Sequence, residues 1–256
     1  MSAPSEGPVP RGGRAGAGVL AFARFAYPPN AVGACGPDDP AGLLEQVAAE
    51  VVDGGLRERA AQFKGAWPYL RIIAAANRLD DPLDPRVVAG YWLGEEAARA
   101  VRLRPMADHV RDRFARRAGG SWGRLAALLD PEAVPDHAFH VLAVYPWVGL
   151  LREGVTEPSL DVITSCLVRP ARVTAVRGDR LDVTVPGLAW DGRGLRLGAD
   201  VDGTLTWSRR GHALVEPPRP GHLVAAHWDW ACHRITPAQA VALRSRIDAQ
   251  ARRATA

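Results

Sequence analysis

Lysine is almost missing from this chain. Lys64 is the single one, and arginine supplies the rest of the 32 basic residues. With the abundant Ala, Gly and Pro beside it, the bias reads as GC-rich coding and not as an arginine code for phosphate. Against 28 acidic residues the net charge is only +4, and no basic run is longer than Arg209-Arg210. Nucleic-acid binding wants a basic stripe on one face, so no nucleic-acid partner is expected. Cysteine is scarce too: Cys35, Cys166 and Cys232 are far apart and odd in number. A disulfide framework is excluded, and a reducing cytoplasm is the expected location. The absence of Cys-x-x-Cys removes the signal for a closed zinc site or a dithiol redox motif. No apolar run reaches the ~18–20 residues of a membrane helix, so no membrane partner is expected. No signal-peptide core stands near the start. The glycine-rich stretch Gly12-Gly-Arg-Ala-Gly-Ala-Gly18 lacks the Lys-Ser/Thr of a phosphate loop.

What is present suffices for a folded protein. Hydrophobic residues make up 47% of 256, enough to bury a core. The length allows one large domain or two ordinary ones. The expected class is α+β: a disordered tail over 1–16, a helical domain over 17–153, and a small OB-like β-barrel with a C-terminal helix over 159–256. Helical periodicity marks 41–52, 56–64, 67–78, 85–102, 105–117 and 122–129. Asp38-Asp39-Pro40 reads as a start signal, and Pro85 sits at a first helical position. The apolar run from His137 to Leu151, broken by Pro146, fits a buried strand or a buried helix equally well. Gly154 to Pro158 reads as a linker. From Leu160 the period becomes two. Arg172–Val176, a turn, then Leu181–Val185 predict a hairpin, with short strands following to His222–Trp230. Many short strands at regular spacing predict a small barrel. The last helix starts at Thr236 with Pro237 in its first turn.

Two motifs bracket the barrel: Cys166-Leu-Val-Arg-Pro170 and Gly221-His-Leu-Val-Ala-Ala-His227-Trp-Asp-Trp-Ala231. The run Thr236-Pro-Ala-Gln-Ala-Val-Ala-Leu-Arg-Ser-Arg-Ile247 follows. Together they resemble the HypC/HupF-type assembly chaperones of nickel–iron hydrogenases, over about a third of the chain. The chain differs from that pattern in having an internal cysteine, Ala171 for a glycine, and Trp228 and Asp229 for small residues. The resemblance implies a maturation accessory protein and not an enzyme. Its metal ligands would be Cys166 and His227, and its cargo an iron–dicyanide–carbonyl unit, Fe(CN)2CO, held transiently. Its partners would be a hydrogenase large subunit precursor or other maturation proteins. The chemistry agrees: low-spin iron with such ligands wants thiolate and imidazole donors. Barrel closure brings first and last strands together, so this pair can meet.

The helical half carries a second, weaker donor set. The segment Phe25-Ala-Tyr-Pro-Pro-Asn30 to Asp38 is expected to form a constrained loop near a helix start, either a structural turn that caps the next helix or one that presents Cys35 where a thiol's pKa falls. His137 and His140, three apart, share a face if helical and form with Cys35 a second-tier metal site. The Phe25–Asn30 segment and Tyr145-Pro-Trp-Val-Gly-Leu-Leu151 resemble parts of an uncharacterised actinobacterial family, which implies no mechanism. Two alternatives stand beside the leading reading. One is a metal-free protein-interaction scaffold. The other is a metal-dependent hydrolase using Cys35, His137 and His140, although no His-Glu-x-x-His occurs.

Overall fold

The structure, a computed structural model, describes residues 14–118, 122–129 and 133–255. The tail expected over 1–16 therefore lies mostly outside the described residues, and Arg14 to Gly16 already belong to a helix.

Among the described residues, eight helices precede His137. They are α1 (Arg14–Ala31), α2 (Pro40–Ala48), α3 (Gly54–Ala61), α4 (Trp67–Ala76), α5 (Pro85–Leu93), α6 (Glu96–Arg99), α7 (Leu103–Ala118) and α8 (Trp122–Ala127). Aspartates start several of them: Asp39, Asp53 and Asp84 accept amide hydrogens of Gly42, Leu56 and Arg86, filling orphan donors of the first turn. The helix expected over 85–102 is two helices. Gly94 lies at φ 67°, a left-handed position that ends α5. The loop expected over 25–38 is also corrected: α1 runs through Pro28 and Pro29 to Ala31, and only 32–39 is loop.

The run His137–Leu151 resolves as helix. Asp136 caps α9 (His137–Phe139), which passes into a π-helical turn over His140–Val144. Pro146 then precedes α10 (Trp147–Arg152). The expected linker is not one, because α11 (Thr156–Cys166) begins inside it and carries the chain to the barrel.

The barrel strands are β1 (Arg169–Arg177), β2 (Arg180–Trp190), β3 (Leu195–Thr206), β6 (Leu223–His227) and β7 (Trp230–Arg234). A short hairpin of β4 (Ser208–Arg209) and β5 (His212–Ala213) lies outside the barrel. The strands close in the order β1-β2-β3-β7-β6, with β7 parallel to β3. The class is thus α+β with an OB-like barrel. Leu181, Val183 and Val185 alternate inward, as the pleat requires. The strand expected over 222–230 is two strands, because Trp228 at φ 53° turns the chain between β6 and β7. Helix α12 (Pro237–Thr255) packs back over β1, β3 and β6.

The two halves are not separate in packing. One apolar cluster runs from Val19 and Phe25 through Trp92 and Phe139 to Ala225, Trp230, Cys232 and Ile247. A smaller one, including Val173, Leu181 and Val224, fills the barrel. Helix α1 is the main bridge, lying on β6 and β7, with Tyr27 edge-on to Trp230 at 5.1 Å. Its close approach to the 83–85 segment depends on Gly18, where a Cβ would stand 1.8 Å from the Leu83 carbonyl oxygen. Gly18→Ala should therefore destabilise the protein by ~1–3 kcal/mol, as overpacking does. Thermal denaturation beside the wild type checks this, and an unchanged midpoint would contradict the packing.

Candidate metal centre

Local structure brings Cys166 and His227 together. Arg169 pairs with Ala226 and Arg172 with Leu223 where β1 meets β6. Three residues upstream of Arg169, Cys166 ends α11. The turn after β6 is tied to the same place, because Trp228 N–H donates to the Ser165 carbonyl at 2.7 Å. The pairing differs in one respect from the expected closure of first on last strand: β6, the penultimate barrel strand, carries His227 beside β1, and β7 follows it.

The structure adds a residue to the pair. Ligand atoms of His137, Cys166 and His227 all lie within 4.8 Å of one another, and all three residues are buried. His137 was expected to act with Cys35 and His140. It instead faces the barrel pair, and neither Cys35 nor His140 joins a donor group of three among the described residues. His140 sits against Tyr69, its Nδ1 3.3 Å from the Tyr69 hydroxyl, and against Tyr145, with ring centroids 4.5 Å apart. Cys35 is half-buried on the 32–39 loop, which Asn30 holds by donating to the carbonyls of Cys35 and Pro37. Of the two readings of this loop, burial favours the structural turn: it pushes the Cys35 thiol up to about 11, outweighing any effect of the nearby helix start. Cys232, on β7, is fully buried and packs in the shared core.

The imidazoles are held as neutral rings. Burial, then the neighbouring His137, brings His227 down to about 3, although the carbonyls of Phe25 and Cys166 favour a proton there. Burial likewise lowers His137 to about 4, against the Cys166 carbonyl. Neutral imidazole is the ligating form. Burial, with a smaller effect of Cys35, pushes the Cys166 thiol up to about 12. A bound ion has to displace its proton, as metals do at thiols.

The tautomer of His227 follows from the sequence of α1. In a helix, the residue 29 amide would donate to the Phe25 carbonyl four residues back. Proline has no amide hydrogen, so Pro29 leaves that carbonyl without its helical donor. His227 Nδ1 supplies one at 2.7 Å. A carbonyl only accepts, so the single proton of the neutral ring is on Nδ1 and the lone pair is on Nε2. Nε2 is buried with no hydrogen-bond partner. A buried polar atom left so is unusual, and a lone pair facing a thiol and a second imidazole suits a metal ion. An outer carbonyl fixing a ring in this way is typical of ligating histidines. His137 is also held by a carbonyl, but both its nitrogens have partners: Nε2 donates to the Cys166 carbonyl at 2.8 Å, so the lone pair is on Nδ1, 3.4 Å from the Tyr91 hydroxyl.

Two further elements fix His137. Trp92 of α5 packs on both rings, with centroids 4.6 Å from His137 and 5.4 Å from His227. Asp136 caps α9 through the Phe139 amide and receives Arg246 Nε of α12 at 2.5 Å. Sequence reasoning missed Trp92 and Arg246 as parts of the site. Asp136 at a helix start was the available signal, while its partner is 110 residues away.

Two outcomes are expected. Pro29→Ala supplies an amide to the Phe25 carbonyl and should raise the share of the Nε2–H tautomer of His227, read from its ring 15N shifts. Unchanged shifts would show that the carbonyl does not set the tautomer. Arg246→Ala leaves the buried Asp136 charge without its partner and should cost ~3–5 kcal/mol. Asp136→Asn with Arg246→Met together should cost less than Arg246→Ala alone, which chemical denaturation checks.

No curated protein and no solved structure matches the chain. The profile of one family matches residues 14–256, nearly the whole of it, and so spans the helical half, the barrel and all three donors. The chain belongs to that family, DUF6390, a family of unknown function.

Proposed function

We propose that this protein is an accessory factor in nickel–iron hydrogenase assembly. In this reading it receives an iron–dicyanide–carbonyl unit as cargo and passes it on, and it turns over no substrate. The observation that carries the reading is the meeting of Cys166 and His227. These are the thiol and the imidazole of the two motifs that resemble the HypC/HupF-type chaperones, and their ligand atoms lie within 4.8 Å of each other.

The donor chemistry supports it. A thiolate and an imidazole suit low-spin iron, and a small donor set leaves positions for cyanide and carbonyl. The surroundings support it as well: Cys166 and His227 are buried, and Trp92 packs on the His227 ring. A dry, apolar shell limits solvent access to a reactive centre. No helix among the described residues is long and apolar enough to cross a membrane. The recipient in this reading is a hydrogenase large subunit precursor or another maturation protein. Because the donors are buried, hand-over needs the α1 side of the helical half to part from β6.

The test is infrared spectroscopy of protein purified without oxygen after co-production with a complete hydrogenase maturation system. Cyanide and carbonyl stretching bands are expected in the wild type and absent from Cys166→Ala and His227→Ala. No bands in a folded wild type that still captures a maturation protein would replace this reading with the metal-free scaffold.

A further inference from the structure

We propose that His137, from the helical half, completes with Cys166 and His227 a three-donor site at which this chain alone binds one divalent transition-metal ion. The inference shares two residues with the reading above but needs no hydrogenase. It changes the site from a pair at the barrel's mouth to a closed set that joins both halves of the protein.

Geometry carries it. The three donors come from the start of α9, the end of α11 and the end of β6, and they converge within 4.8 Å. A tetrahedral zinc-type ion sets such donors roughly 3.3–3.6 Å apart. The group has to close by about 1 Å, and His137 has to give up its Nε2 bond to the Cys166 carbonyl or coordinate through Nδ1 in place of the Tyr91 hydroxyl. The two imidazoles stand edge to face, centroids 5.1 Å apart, so they approach a common point from different directions. The His227 Nε2 atom is buried and without a partner, and its residue is 1% exposed.

The donor set selects the ion. Magnesium and calcium want oxygen ligands, and no carboxylate belongs to this group. One sulfur and two imidazoles suit zinc, cobalt(II) or iron(II). Three protein donors leave a fourth position, the arrangement of sites that bind a further ligand. On binding, the Cys166 proton leaves to solvent and sulfur donates as thiolate. One thiolate cancels one of the ion's two charges, and a net charge in a dry core is costly. The fourth position therefore favours a small anion.

Cobalt(II) alone is the probe. Reduced, metal-free protein titrated without oxygen should take up one equivalent and develop a thiolate-to-cobalt charge-transfer band that Cys166→Ala lacks. His137→Gln keeps an amide for the Cys166 carbonyl and should bind at least ~100-fold more weakly, the upper end of what losing an outer partner costs. His222→Gln, on the barrel surface, should bind as the wild type. X-ray absorption of the zinc-loaded wild type needs no variant. It should count one sulfur at about 2.3 Å and two imidazoles. A wild type without the band, a centre with a single imidazole, or wild-type affinity in His137→Gln would overturn the inference. An intact cobalt site with a failed infrared test would remove the hydrogenase reading and leave this one standing.

Discussion

The hydrogen bond from His227 Nδ1 to the Phe25 carbonyl is the constraint on which the rest of the site depends. It ties the last residue of β6 to the middle of α1, so it joins the barrel to the helical half at one atom pair. It exists because Pro29 cannot donate to that carbonyl. The helix therefore keeps an acceptor inside the core, and a buried acceptor has to be satisfied. His227 satisfies it and is left with its lone pair on Nε2. One missing amide hydrogen thus sets a fold contact and the chemistry of a ligand together.

His137 is held from the opposite side by a different device. Asp136 is 1% exposed, and burial raises its pKa even against Arg246. Such a carboxylate is tolerable only with close partners. The Phe139 amide and Arg246 provide them, so α12 clamps the start of α9 while Trp92 limits the rings. The Cys166 carbonyl bonds His137 and the Ser165 carbonyl bonds Trp228. The end of α11 is therefore held by both neighbours through its backbone, and the Cys166 sulfur remains to act as a donor.

Burial gives this centre its character. It keeps both imidazoles neutral, and it also keeps the thiol protonated. The first favours a metal ion and the second opposes it, so an ion bound here would have to bind sulfur strongly enough to displace a proton. His137 lies with Cys166 and His227 and not with Cys35 and His140, which weakens a hydrolytic reading built on those three.

Much of the fold was legible in the chain. The aspartate–proline starts before α2 and α5, the period-two run of Leu181, Val183 and Val185, and the terminal helix all follow from local propensity and patterning. Cys166 and His227 were legible as candidates from the motifs that hold them. The breaks at Gly94 and Trp228 were not, because each depends on a single left-handed residue inside a continuous apolar pattern. The helical state of His137–Val144 was not, because an apolar run fits a strand and a buried helix alike. Nor was the helical course of Pro28 and Pro29, which local propensity argues against and which packing on β6 and β7 supports. By itself, the sequence determined the elements, their polarity and the donor types. Which histidine meets Cys166, and with which nitrogen, was decided only by the tertiary structure. Those choices rest on the β1–β6 register, the α1 contact with the barrel and a clamp between residues 110 apart, and contacts of such separation leave no local trace in the chain.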